Sequence, residues 1–266
     1  MRLKKNEKVL PAVRPNLGIE AAYRRKLRDI VEEMHRSFDY WLKVAYRANT
    51  PVIAQDATPA LELQRAIDDL TRQWRRRFKD GAPELAAWFA KSSWRRSDAS
   101  LKAILKKAGI SVDFQMSPAM RDILRATIEQ NVALIRNLPE QYLTQVTGSV
   151  MRSVTTGRDL GSLAKELEEH YGVTRRRAAL ISRTQNNLAT SAMQHARQTE
   201  VGIKEAIWMH SHAGKTVRKT HYANDGKRYN VAEGWFDPDP KVQRRIWPSE
   251  LINCRCQSRP LLKGFS

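Results

Sequence analysis

Two cysteines and a histidine carry the most distinctive chemistry of this chain. Cys254 and Cys256 are its only cysteines, and His221 lies upstream, preceded by His212 and His210. Two thiols at i and i+2 on a strand share a face with Cα atoms about 6.5–7 Å apart. From that spacing both sulfurs could reach one Zn2+ at about 2.3 Å. His221 would add an imidazole, with His212 the first choice for a fourth ligand and His210 the second. Such a metal site would clamp a turn-rich region that has little regular structure to hold it. The paired CxxC knuckles of the strong zinc signatures are missing. The alternative is that both cysteines are small buried apolar residues and His221 is a hydrogen-bonding core histidine.

Other chemistries find less support. A small His-Asn-His nuclease needs a general-base histidine, a metal set nearby and usually two CxxC knuckles. No histidine follows His221, and the knuckles are absent. Neither GxGxxG, GxxxxGKS/T nor GxSxG occurs, so phosphate loops and the hydrolase elbow have no local context. We assign no catalytic residue and expect no enzyme.

Charge is the next signal. Lys and Arg number 47 against 28 Asp and Glu, a net charge of +19 spread along the chain. A field of that sign attracts nucleic acid or acidic protein surfaces. Two basic clusters are interleaved with aromatics: Trp74-Arg75-Arg76-Arg77-Phe78 and Trp94-Arg95-Arg96. On a helix Trp74 and Phe78 would be buried and the arginines would fan outward. There they could meet phosphates, acidic partners or plain solvent. Arg175, Arg176 and Arg177 follow Thr174, read as a helix cap. The macrodipole disfavours cations in a first turn, so an anionic partner would compensate. No run approaches the ~18 apolar residues of a spanning helix, and the basic leader lacks an apolar run of signal-peptide length. With two cysteines the chain suits a reducing cytoplasm.

These residues must be positioned by a mostly helical scaffold. Tyr23, Leu27, Ile30, Met34, Phe38, Trp41 and Ala45 recur at helical spacing. Thr50-Pro51 and Thr58-Pro59 bound a loop, the second pair reading as a cap with Pro at the first helical position. Leu63 to Phe78 then forms a helix ending at the turn Asp80-Gly81. Shorter pieces follow, the last closing at Gly109. Ser117-Pro118 opens another helix that Leu138-Pro139 breaks, and the next stops by Gly157. A short helix closes at Gly172, and a longer one runs from Thr174 to Gly202. Ile203 to His212 reads as a strand, as does the end around Cys254 and Cys256. Between them lie the turn signals Gly214, Asn224-Asp225-Gly226 and Asp237-Pro238-Asp239-Pro240.

The stretches EQNVALIRNLPEQYLTQV, RRRAALISRTQNNLATSAMQHARQTEVGI, AIWMHSHAGKTVRKTH, DGKRY and PSELINCRCQSRP, within residues 113 to about 262, resemble the phage Mu F-like head morphogenesis family. The most specific parts of the likeness are Arg218-x-x-His221, Asp225-Gly226 and Asn253-Cys254-Arg255-Cys256, in that order. Ser182 stands where relatives often carry Ala before Arg183. The resemblance implies an α+β, mostly helical fold. An N-terminal helical unit (1–112) would precede a Mu F-like domain (113–266) with helices and a small turn-rich β region. It further implies a minor head protein of a tailed bacteriophage, acting in head morphogenesis at or near the portal. Its implied partners are the portal protein, major capsid or scaffold proteins, and packaged double-stranded DNA bound without sequence preference. The implied location is the virion, at the head interior or portal vertex, with host cytoplasm during assembly and no membrane. The rival class is a DNA-processing nuclease or toxin carried on such a domain.

Overall fold

The computed structural model describes residues 6–48, 57–156, 160–212 and 217–264. It opens with a short strand, β1 (Glu7–Val9), that no pattern in the leader announces. Helix α1 (Leu17–Ala48) follows, and the Asn16 carboxamide caps it by accepting the Ile19 N–H at 2.9 Å. Tyr23, Leu27, Val31, Met34, Phe38 and Leu42 form its buried stripe. Trp41, placed on that stripe by its spacing, is exposed instead and sits edge-on to Tyr40. One residue is 100° of helix, and Leu42 takes the inward position.

Helix α2 (Ala57–Lys107) is continuous, so the turn read at Asp80-Gly81 and the separate pieces after it do not form. Pro83 lies inside it. A mid-helix proline removes a backbone bond at a cost of about 3 kcal/mol. Burial of Phe78, Ala82, Ala86, Phe89 and Ala90 continues without a break across this point. Packing of an apolar face overrides local propensity there. Thr58 falls within this helix; the loop signal at Thr50-Pro51, Gly157 and Gly214 lie outside the described residues.

Helix α3 (Pro118–Asn137) starts as its sequence signal says, with Ser117 Oγ accepting the Met120 N–H at 3.1 Å. Helix α4 (Glu140–Thr156) follows the Leu138-Pro139 break. Helix α5 (Leu160–Glu200) passes straight through Gly172 and Thr174. The Thr174 hydroxyl donates to the His170 carbonyl at 3.0 Å, a back-bond within a helix and not a cap. Arg175, Arg176 and Arg177 are therefore mid-helix, and no helix N-terminus repels them.

The remaining elements are β2 (Glu205–Met209), the short α6 (Lys219–Ala223), β3 (Arg228–Asn230), β4 (Trp235–Asp237), β5 (Arg244–Ile246) and β6 (Gln257–Lys263). One antiparallel sheet has the order β1-β6-β2-β3, and β4 pairs with β5. β2 ends before His210, and β6 begins after Cys256. Both cysteines thus sit in the irregular approach to a strand and not within one.

Contacts group the chain into two compact units, each drawn from separated segments. One comprises Met1–Glu20, Ala87–Ile128 and Arg183–Ser266; the other comprises Ala21–Ala86 and Glu129–Ser182. In the second, Tyr23 donates to Asn131 at 2.9 Å. There His35 bridges Tyr142 and Glu168, each at 3.1 Å, while stacked on Tyr171. Burial pushes His35 below the ordinary histidine value, with Glu168 and Asp39 opposing. The folded state thus holds the ring neutral, while the unfolded chain protonates near pH ~6.5. His35 contributes stability above that value and loses it as pH falls toward the folded pKa. From about pH 7 to pH 5 the melting temperature should drop more for the native chain than for His35→Gln. Equal drops would assign the slope to other groups.

Candidate metal centre

The site lies wholly in the first unit, and each part of it is locally dictated. Arg218 begins α6 and its guanidinium donates to the Ile252 carbonyl at 2.9 Å, tying the helix to the loop before the cysteines. His221 sits one turn later, buried. Asn253 takes a left-handed φ of 61°, which asparagine tolerates better than most residues, and so turns the chain into Cys254. From α5, Asn187 donates to the Cys254 carbonyl at 3.0 Å, and Ser249 donates to the Cys256 carbonyl at 2.6 Å. The backbone on both sides of Arg255 is thereby fixed, from α5 and from the start of the same loop.

These constraints bring three donors together. His221 Nδ1 is 3.5 Å from Cys254 Sγ and 3.6 Å from Cys256 Sγ. All three ligand atoms lie within 4.8 Å of one another and could hold a metal ion. On the far side of the ring, His221 Nε2 is 3.0 Å from the Asp237 carboxylate, which is completely buried. A carboxylate there requires the proton on Nε2, which leaves the Nδ1 lone pair facing two sulfurs. One lone pair cannot accept two well-aligned S–H bonds, whereas it can bind one ion that both sulfurs also bind. Trp208 and Trp235 meet the ring edge-on at 5.2 and 5.9 Å.

The thiols titrate as a pair. The hydrogen bond from Cys256 holds the Cys254 thiol well below the ordinary thiol range. The same contact, then burial, pushes Cys256 up, so one proton stays shared between the sulfurs. An ion that displaced it would leave two thiolates balancing a divalent charge.

His212, the first choice for a fourth ligand, does not join the group. Its side chain is 57% exposed, and its Nε2 is 2.9 Å from Asp225 Oδ2. His210 is buried nearby, with Nδ1 accepting the His212 N–H at 3.1 Å. Asp225 holds this turn by also accepting the His210 N–H at 2.8 Å. Sequence reasoning misses Asp237 because Asp237-Pro238-Asp239-Pro240 reads as turn chemistry. Its Oδ1 does accept the Asp239 N–H, as a turn would have it, but Oδ2 serves His221.

The basic residues divide by what holds them. Arg75 is bound by Glu140 at 2.8 Å, Arg77 pairs with Glu33, and Arg177 donates to Asn137 at 2.6 Å. Arg175 lies over the Tyr171 ring. Arg76, Arg95, Arg96 and Arg176 are exposed and, among the described residues, make no ion pair.

The family model described as "Phage Mu protein F like protein" matches residues 144–259. A protein of Haemophilus influenzae described as uncharacterized is 31% identical over 153 residues, covering 58% of this chain and 32% of that protein. The chain thus spans about a third of the length of that curated relative. No solved structure matches. Arg218, His221, Asp225, Asn253 and both cysteines fall inside the matched stretch. Residues 144–259 are thus similar to the phage Mu F-like family.

Proposed function

We propose that this protein is a non-catalytic component of a tailed-phage head, acting in head morphogenesis at or near the portal and facing packaged DNA. The match of residues 144–259 to the phage Mu F-like family carries this reading. Presence in purified phage particles is its direct observable. Portal, major capsid or scaffold proteins are its partners in assembly, with duplex DNA bound through charge. Among the described residues no helix is long and apolar enough to cross a membrane.

The net charge of +19 supports the DNA contact. Binding should be independent of sequence and should fall steeply as salt rises. Of the arginines singled out in the sequence, Arg76, Arg95, Arg96 and Arg176 are exposed and, among the described residues, make no ion pair. Changing all four to Gln should reduce the log–log salt slope by roughly 0.9 for each phosphate that is no longer neutralised. Filter binding or fluorescence anisotropy across a salt series reads this directly. An unchanged slope would assign these arginines to an acidic protein partner or to solvent.

The reading includes a Zn2+ held by His221, Cys254 and Cys256. Zn–S bonds of about 2.3 Å and a Zn–N bond of about 2.0 Å at a tetrahedral angle place sulfur and nitrogen roughly 3.5 Å apart. The two observed separations, 3.5 and 3.6 Å, meet that requirement together. The ion would clamp α6, the end of β4 through Asp237, and the approach to β6.

A further inference from the structure

Tetrahedral zinc takes four donors, and this chain brings three side chains to the site. The neighbouring candidates are otherwise engaged. His212 is turned outward onto Asp225, and Asp225 uses both oxygens on His210 and His212. Asp237 is committed to His221 and to the Asp239 N–H, and Asp239 accepts from the Lys241 N–H at 2.9 Å. His210 is the subtler case. A neutral imidazole that accepts at Nδ1 carries its proton on Nε2 and has no second lone pair to give. Since His210 Nδ1 accepts the His212 N–H, it presents an N–H to its surroundings and not a ligand atom. Among the described residues, no fourth His, Cys, Asp or Glu lies with the group.

We infer that zinc at this site has three protein ligands and takes its fourth from outside the chain, as a small neutral donor that exchanges. The inference rests on zinc occupying the group. Charge selects the class of donor. Two thiolates already neutralise Zn2+, and the Asp237 carboxylate lies directly behind His221. An added anion would be a net negative charge in a buried, poorly solvated place, which is costly. Water, or a nitrogen donor such as imidazole, adds none. A Cys2His set with an open fourth position is an established arrangement for zinc that exchanges ligands, whereas closed structural sites use four protein donors.

Asp237 acts as a positioning residue here. By holding the Nε2 proton it fixes the tautomer that aims the Nδ1 lone pair at the ion. Asp237→Asn should lower metal affinity about 10- to 100-fold, measured by competition with a chromophoric chelator. An unchanged affinity would remove Asp237 from this role.

The test uses the full chain with Co2+ in place of zinc. One equivalent of cobalt should give thiolate charge-transfer bands and tetrahedral d–d bands. Titrating imidazole should then shift the d–d bands saturably while the thiolate bands persist. The resting bands should be the same in His210→Ala. Bands that do not move at saturating imidazole, or that change when His210 is removed, would show a fourth protein ligand and overturn the inference while leaving the metal site standing. Failure to bind cobalt or zinc at all would overturn the zinc reading itself.

Discussion

Cys254→Ser should strip the bound metal from the protein and lower its melting temperature by roughly 10 °C or more. The expectation follows from linkage: a metal that binds only the folded chain adds its binding free energy to folding. For a chain of this size each kcal/mol is worth about 2–4 °C, so losing several kcal/mol gives the stated shift. Serine keeps the volume but offers no thiolate, and it leaves His221 Nδ1 and Cys256 without a shared ion. Elemental analysis of protein purified without a His tag should find about one zinc per chain, and a chelator should reproduce the melting shift of the variant. If the group is only packed core, the swap costs about 1–3 kcal/mol for burying a hydroxyl, and chelation does nothing. Zinc below about 0.2 per chain with no chelator effect would end the metal reading.

The second large effect belongs to Arg197, on α5 in the same unit. Its side chain is 1% exposed, yet it is fully engaged. Nε and NH2 donate to the two oxygens of Asp98 at 2.9 and 2.7 Å, a bidentate pair. NH1 donates to the Gln115 carbonyl at 2.8 Å and to Glu200 at 2.7 Å, and Phe114 lies under the guanidinium. Three separated stretches of chain thus meet on one cation. Removing it leaves Asp98 and Glu200 without their shared counter-charge, so Arg197→Met should destabilise by about 3–5 kcal/mol. Arg197→Lys should recover little, because an ammonium cannot reproduce the fork. Adding Asp98→Asn to Arg197→Met should restore part of the loss by removing a stranded charge. Denaturant melts of the three variants test this. A loss under about 1 kcal/mol would mean that water replaces the pair without cost.

The parts of this architecture that are legible in sequence are those with a local cause. Ser117-Pro118 signals a helix start by itself, and His221, Cys254 and Cys256 are the residue types a metal demands. Elsewhere tertiary context decides. Gly81, Pro83 and Gly172 are breaker signals, but buried apolar positions run through them and two long helices result. Trp41 and Leu42 are both apolar, and only the facing surface selects Leu42 as the inward one. β1 is three residues long and exists because β6 offers it an edge, from Glu7 opposite Lys263 to Val9 opposite Leu261. Asp237 is invisible for a related reason. Its second partner, His221, lies 16 residues upstream across an irregular path, which no spacing rule reads.

A protein built into phage heads must be found in them. Mass spectrometry of purified particles and of empty heads, normalised to the major capsid protein, tests this most directly. The protein is expected in both, at low copy relative to the major capsid protein. Its presence in infected-cell extract together with its absence from particles and procapsids alike would contradict the assembly role.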